Sequence, residues 1–160
     1  MFKKIGGTIL IVILSIIIII LDQGSKFAAT KYLKGSKPYV IIKNFFQLFY
    51  VENNGAAFGI LQHKRMFFVI ITLLIISILA VYTIKYYHRL NKITIISFGL
   101  LIGGAIGNLI DRIRLGYVVD FISFKLIHGY NFPVFNIADI AIVLSTLVIT
   151  ILILFDKIEV

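Results

Sequence analysis

The chain has 160 residues, 60% of them hydrophobic, with a mean hydropathy of +1.04 and a formal net charge of +9. That composition excludes a soluble domain and describes a single integral membrane domain over residues 1–160. Cysteine is absent, which excludes disulfides, a thiol nucleophile, thiolate metal sites and lipid attachment through a cysteine of the chain itself. The positive charge does not point to nucleic acid, because lysines and arginines cluster between apolar runs, where they meet anionic lipid headgroups.

Four runs approach the ~20 residues needed to cross a bilayer. The first, at about 5–22, follows Lys3 and Lys4. It is too long for the core of a cleavable signal peptide, and Asp22, Gln23 and Lys26 separate it from the small residues of FAAT. The next stretch, 23–65, contains PYVIIKNFFQLFYV, rich in β-branched and aromatic residues between Pro38 and Asn53-Asn54-Gly55. This predicts one or two short strands and a turn at the membrane interface.

A second span follows at about 66–85, then a short basic connection from Lys85 to Lys92. The third span, about 93–111, holds Gly99, Gly103 and Gly107 at four-residue spacing, a stripe that lets a neighbouring helix approach closely and supports the structure. Residues 112–134 are a loop carrying Asp120, and the fourth span covers about 135–155. The expected fold is an all-α membrane protein with four transmembrane helices and a small β-rich loop region. The charges leave its orientation open. Six basic residues fall on the side of the termini and ten on the other, yet the short loop is the denser in charge.

Only seven acidic residues are present, and Asp111, Asp120 and Asp139 lie in or beside apolar segments. A carboxylate at a helix centre costs roughly 2.5–3.5 kcal/mol on insertion scales, so each needs a reason. The pattern N-x-x-D occurs at Asn108–Asp111 and again at Asn136–Asp139. On a helix each Asn shares a face with its Asp. Helices joined by a loop on one membrane face bring both pairs to one depth, with Asp120 between them, Asp22 on the same side and Arg112 near enough to neutralise an acid. Two close carboxylates share a proton, so that one activates water while the other protonates the attacked carbonyl. Asp22, Asn108 and Asp111 serve equally well as polar ties between helices.

Other chemistries fit less well. His63, His88 and His128 are scattered, and no metal-ligand pattern is present. Ser25-Lys26 are adjacent and do not face each other on a helix. A transporter or channel would place paired acids near the midplane, whereas these fall at span ends. A non-catalytic membrane scaffold is the remaining class.

The segments DQGSK at Asp22, ENNGAAFGIL at Glu52, GGAIGNLIDRIRLGYVVDF from Gly103 and FPVFNIADIAI from Phe132 resemble, in that order, signal peptidase II, the bacterial prolipoprotein signal peptidase. The resemblance implies an aspartyl endopeptidase of the bacterial cytoplasmic membrane that needs no cofactor or metal. Its substrates are preproteins whose lipobox cysteine carries a diacylglyceryl group, cut just before that cysteine. It implies Asp120 and Asp139 as the catalytic pair, Asn53, Asn108, Asp111, Arg112 and Asn136 as residues shaping the site or holding substrate, and Asp22, with Gly103 and Gly107, as support. Asp111 is expected to be fixed by its neighbour Arg112. The resemblance also places both termini in the cytoplasm, with the β-rich loops and the site at the extracytoplasmic face of a monomer in contact with membrane lipid. Glu52 stands where many members carry a basic residue.

Overall fold

The computed structural model describes residues 2–55, 60–126 and 131–155. Residues 56–59 of the ENNGAAFGIL segment, His128 and Lys157 lie outside them. In chain order the elements are α1 (Phe2–Leu33), β1 (Tyr39–Ile42), β2 (Phe46–Asn53), α2 (Arg65–Tyr86), a 3-10 turn (Tyr87–Arg89), α3 (Lys92–Arg114), β3 (Val118–Phe124) and α4 (Ile137–Leu154). The four α-helices are long and apolar enough to cross a membrane.

The centre of the bundle is α3, with α1 on one side and α4 on another. Glycine sets both distances. A Cβ on Gly99 would come within 2.9 Å of the Leu14 side chain, and one on Gly103 within 2.9 Å of Ile18 and the Ser15 backbone. On the face toward α4, a Cβ on Gly104 would meet the Ala138 carbonyl at 2.6 Å. The stripe Gly99–Gly103–Gly107 therefore seats α1, and Gly104, outside that stripe, seats α4. Ser15 adds a bond across the first interface, its Oγ donating to the Gly99 carbonyl at 3.0 Å.

The first helix does not stop near Asp22, where the apolar run ends. It continues to Leu33, because its polar residues there turn inward and find partners on α3 and α4. At ~1.5 Å per residue, a helix of 32 residues is longer than a ~30 Å hydrocarbon core, so its last turns stand above the other helices. There Ala29 is buried against Val119 and Phe121 of β3.

The sheet is antiparallel in the order β1-β2-β3. The β1–β2 hairpin supplies two strands within PYVIIKNFFQLFYV as expected, but its turn falls inside that run, before the Asn53-Asn54-Gly55 signal, with Asn44 at φ 60°, a conformation asparagine tolerates. The third strand lies in the stretch that the sequence reading leaves as a loop. VVDFISF is nearly all buried, pairing with β2 on one edge and with Phe135 on the other. The register sets Val51 opposite Asp120 and Asn53 opposite Val118.

Alanine substitution tests the glycine seats. Gly103→Ala and Gly104→Ala should each destabilise the protein by about 1–3 kcal/mol through overpacking. Gly24→Ala, where a Cβ meets nothing within 4 Å, should be neutral or stabilising. Thermal unfolding in detergent distinguishes them, and equal midpoints for all three variants would refute the packing argument.

Candidate active site

The polar residues gather where α3 ends, α4 begins and α1 passes both. Asn136 organises the layer. Its backbone is extended, φ −132° and ψ −176°, so it precedes the helix as its N-cap. Its Oδ1 accepts from the Asp139 backbone N–H at 2.9 Å, and Asp139 Oδ2 accepts from the Asn136 backbone N–H at 3.1 Å. The second N-x-x-D is thus a reciprocal capping box, with the Asn outside the helix, contrary to the expectation of two residues sharing one helical face. The Asn136 amide donates to Asp120 Oδ1 at 2.7 Å, Asn108 Oδ1 at 3.2 Å and the Val119 carbonyl at 3.3 Å.

Asp120 and Asp139 are held by amides. Asn53 Nδ2 donates to Asp120 Oδ2 at 2.8 Å, and Asn108 Nδ2 to Asp139 Oδ1 at 2.7 Å. Each of the four carboxylate oxygens therefore receives one hydrogen bond from an asparagine, and neither acid forms an ion pair among the described residues. Both line a cavity of about 410 Å³ whose wall includes Phe135, Ile140, Val143 and Leu144. Asp120 is 1% exposed. Burial, then the Asp139 charge, push its pKa up to about 7, against the bonds from Asn53 and Asn136 that favour the anion.

Asp22 and Asp111 are treated differently. Lys26, 3% exposed, places its ammonium 2.8 Å from Asp22 Oδ2 and 3.0 Å from Asp111 Oδ2. Asp22 Oδ1 also accepts from the Ala138 backbone N–H at 3.0 Å, tying α1 to the first turn of α4. Asp111 accepts from Gln23 Nε2 at 3.0 Å and the Val119 N–H at 3.0 Å, tying α3 to α1 and β3. Asp111 is ion-paired as expected, but with Lys26 instead of Arg112. The Arg112 guanidinium lies 4.7 Å from the Phe68 ring centroid and donates to the Gly55 carbonyl at 3.4 Å, because consecutive helical residues point apart. Asp22 sits well inside α1, not at its end.

All the sequence-predicted polar residues meet at this one site. Sequence reasoning missed Gln23 and Lys26, although the i, i+4 spacing of Asp22 and Lys26 was a signal for a helical ion pair. Glu52 turns to the opposite face of β2 from Asn53. Its Oε1 accepts from Lys34 Nζ at 2.8 Å and from the Tyr50 hydroxyl at 3.1 Å. The Lys34 bond holds its carboxyl below the ordinary range.

Burial predicts unequal costs for breaking these pairs. Asp22→Ala should lower stability by about 3–5 kcal/mol, because it leaves a buried ammonium short of a partner. Lys34→Ala, at an exposed pair, should change it little. Thermal midpoints in detergent measure both, and comparable shifts would contradict the contrast drawn here.

Residues 14–155 match the family described as signal peptidase (SPase) II. The chain is 47% identical over 139 residues to the lipoprotein signal peptidase of Caldanaerobacter subterraneus subsp. tengcongensis, covering 86% of this chain and 91% of that one. It is 46% identical over 136 residues to that of Halothermothrix orenii, covering 85% and 89%. A bacterial membrane enzyme solved by the in meso method at 2.3 Å resolution superposes with a TM-score of 0.79 and 37% identity, covering 92% of this chain and 88% of that one. With four apolar helices, a carboxylate-lined cavity and relatives matched along most of its length, the chain belongs to the signal peptidase II family of multi-pass bacterial membrane peptidases.

Proposed function

We propose that the chain removes signal peptides from diacylglyceryl-modified bacterial prolipoproteins, with Asp120 and Asp139 as its catalytic pair, and that it cuts just before the lipidated cysteine. The observation that carries the assignment is that these two acids, alone among the four in the layer, face an apolar cavity and are held by amides in place of a cation. Two carboxyls so placed keep one proton between them below about pH 7. Asp120, with its pKa near 7, holds it. Asp139, in the first turn of α4 beside the positive end of the helix dipole, carries the charge.

Asp139 then takes a proton from a water bound between the two carboxyls. The water oxygen attacks the scissile carbonyl carbon, and Asp120 gives its proton to the carbonyl oxygen. The resulting gem-diol collapses as Asp139 gives its proton to the amide nitrogen, Asp120 takes one from a gem-diol hydroxyl, and the C–N bond breaks to acid and amine with the pair restored. Electrostatic support falls to Asn53, Asn108 and Asn136, which hold the carboxyls before and after transfer without supplying a charge. A lipidated substrate suits the cavity. Its wall continues along Val143 and Leu144, which are exposed on the outside of α4, so an acyl chain can lie against that helix while the peptide reaches the pair.

Cleavage of a lipidated prolipoprotein peptide by the purified protein in detergent tests the reading. Asp120→Asn and Asp139→Asn should each reduce turnover by at least about a thousand-fold, since a proton-transfer partner is worth 10²–10⁴-fold, while both variants still insert and fold. The same peptide without its diacylglyceryl group should be cut poorly. Activity of the unaltered protein should fall as pH rises through about 7, where Asp120 loses its proton and both acids become charged. Near-normal turnover by either variant, or equal turnover of the two peptides, would sink the proposal.

We further propose that the protein is a monomer of the cytoplasmic membrane, with both termini cytoplasmic and the site at the outer face. The chain has no native cysteine, so a single cysteine at Leu90 reports on this directly. It should resist an impermeant thiol reagent in intact cells, whereas one at Lys43 should react. The reverse pattern would invert the orientation.

A further inference from the structure

Among the described residues Lys26 is the one fully buried cation, and its ammonium meets three oxygens. Asp22 Oδ2 at 2.8 Å and Asp111 Oδ2 at 3.0 Å form ion pairs with it, and it donates a hydrogen bond to Asn108 Oδ1 at 2.9 Å. The third bond matters most for chemistry. An asparagine amide can turn over, exchanging its oxygen and its NH₂. Asn108 presents Oδ1 to the Lys26 ammonium and the Asn136 amide, and so presents Nδ2 to Asp139 Oδ1 at 2.7 Å. Turned over, it would set NH₂ against an ammonium and oxygen against the Asp139 carboxylate. Both contacts would be repulsive.

We propose that Lys26 is a positioning residue for peptide cleavage, acting through Asn108 to keep an amide donor on Asp139 and to hold a fixed positive charge behind the catalytic pair. Lys26 does not line the large cavity. It lines a separate one of about 170 Å³, with Gln23, Thr30, Asp111 and Tyr117, so its effect on substrate is indirect. Asp139 from α4, Lys26 from α1 and Arg112 from α3 act on Asp120 by charge, Asp22 from α1 acts on Asp139, and Asp111 from α3 acts on Arg112. β2 contributes only the neutral Asn53 toward Asp120. Among these, Lys26 draws the Asp120 pKa down against burial and the Asp139 charge. Removing it should extend the singly protonated state of the pair to higher pH.

The inference rests on Asp120 and Asp139 being the reacting pair. Failure of that reading would appear as activity in Asp139→Asn. The present inference is tested by a double-mutant cycle between Lys26→Met and Asn108→Ala, with kcat, KM and pH profiles on the lipidated peptide. Lys26→Met should lower kcat roughly ten-fold or more with KM within about two-fold, and its alkaline limb should move to higher pH. In the Asn108→Ala background the same substitution should lower kcat no further. Lys26→Met leaves two buried carboxylates without their cation, so the cycle is repeated with Lys26→Met/Asp22→Asn against Asp22→Asn alone. That pair removes one charge of each sign. Equal losses of kcat in both Asn108 backgrounds, or a pH profile unmoved by Lys26→Met, would reduce Lys26 to a structural tie and overturn the inference.

Discussion

A carboxylate placed inside an apolar helix bundle has to be met on both oxygens, and this chain meets four of them in one layer. The layer draws on α1, α3, α4, β2 and β3, so the whole fold is organised around satisfying it. No buried side-chain nitrogen or oxygen among the described residues is left without a partner. Two of the acids, Asp22 and Asp111, each receive a cation and a backbone N–H, which ties α1, α3, α4 and β3 together. The other two receive only neutral N–H donors of asparagines, side-chain amides and the Asn136 backbone N–H, and open on a cavity. The proposed division between support and chemistry rests on this difference in partners. An ion-paired carboxylate is a poor proton carrier, whereas one held by neutral donors beside a second acid can gain and lose a proton at neutral pH.

The layer depends in turn on how closely the helices approach. The glycine stripe of α3 reads as a packing device, and at Gly99 and Gly103 it is one. At Gly107 it does more. A Cβ there would lie 2.6 Å from Asp22 Oδ2, so the missing side chain is the space in which the Asp22 carboxylate reaches Lys26. One pattern of small residues thus serves both helix association and the site's electrostatics.

Much of this was legible in the sequence, for identifiable reasons. Long apolar runs mark the helices because a bilayer leaves the backbone few alternatives. Acids are so rare here that their positions alone point to the layer. The rest depended on partners distant in sequence. Nothing local says that Lys26, more than eighty residues away, takes the place expected of Arg112 beside Asp111. Adjacency in a helix turns neighbours apart, and only the α1–α3 contact reveals the pairing. The strand Val118–Phe124 was legible in principle, being short and rich in β-branched and aromatic residues. The single acid in it, Asp120, breaks the apolar pattern and makes the segment resemble a loop. The N-x-x-D at Asn136 was read with helical periodicity, where N-cap chemistry applies. The mistake concerned the cause of the convergence and not its place.

The sheet explains how a strand on one face of the membrane domain reaches chemistry at the helix ends. Side chains alternate along β2, so Asn53 can donate to Asp120 while Glu52 faces the other way, where Lys34 and Tyr50 hold it. The acidic residue at position 52 therefore adds no negative charge against the pair. Lys34 lies just beyond the last turn of α1, and that helix also carries Asp22 and Lys26. The helix thus enters the polar layer through its ion pair, and the residue just past its end holds Glu52 on the other face of β2. An extension of α1 past its apolar run, which a bilayer alone would not require, is what brings one helix against both the polar layer and the sheet.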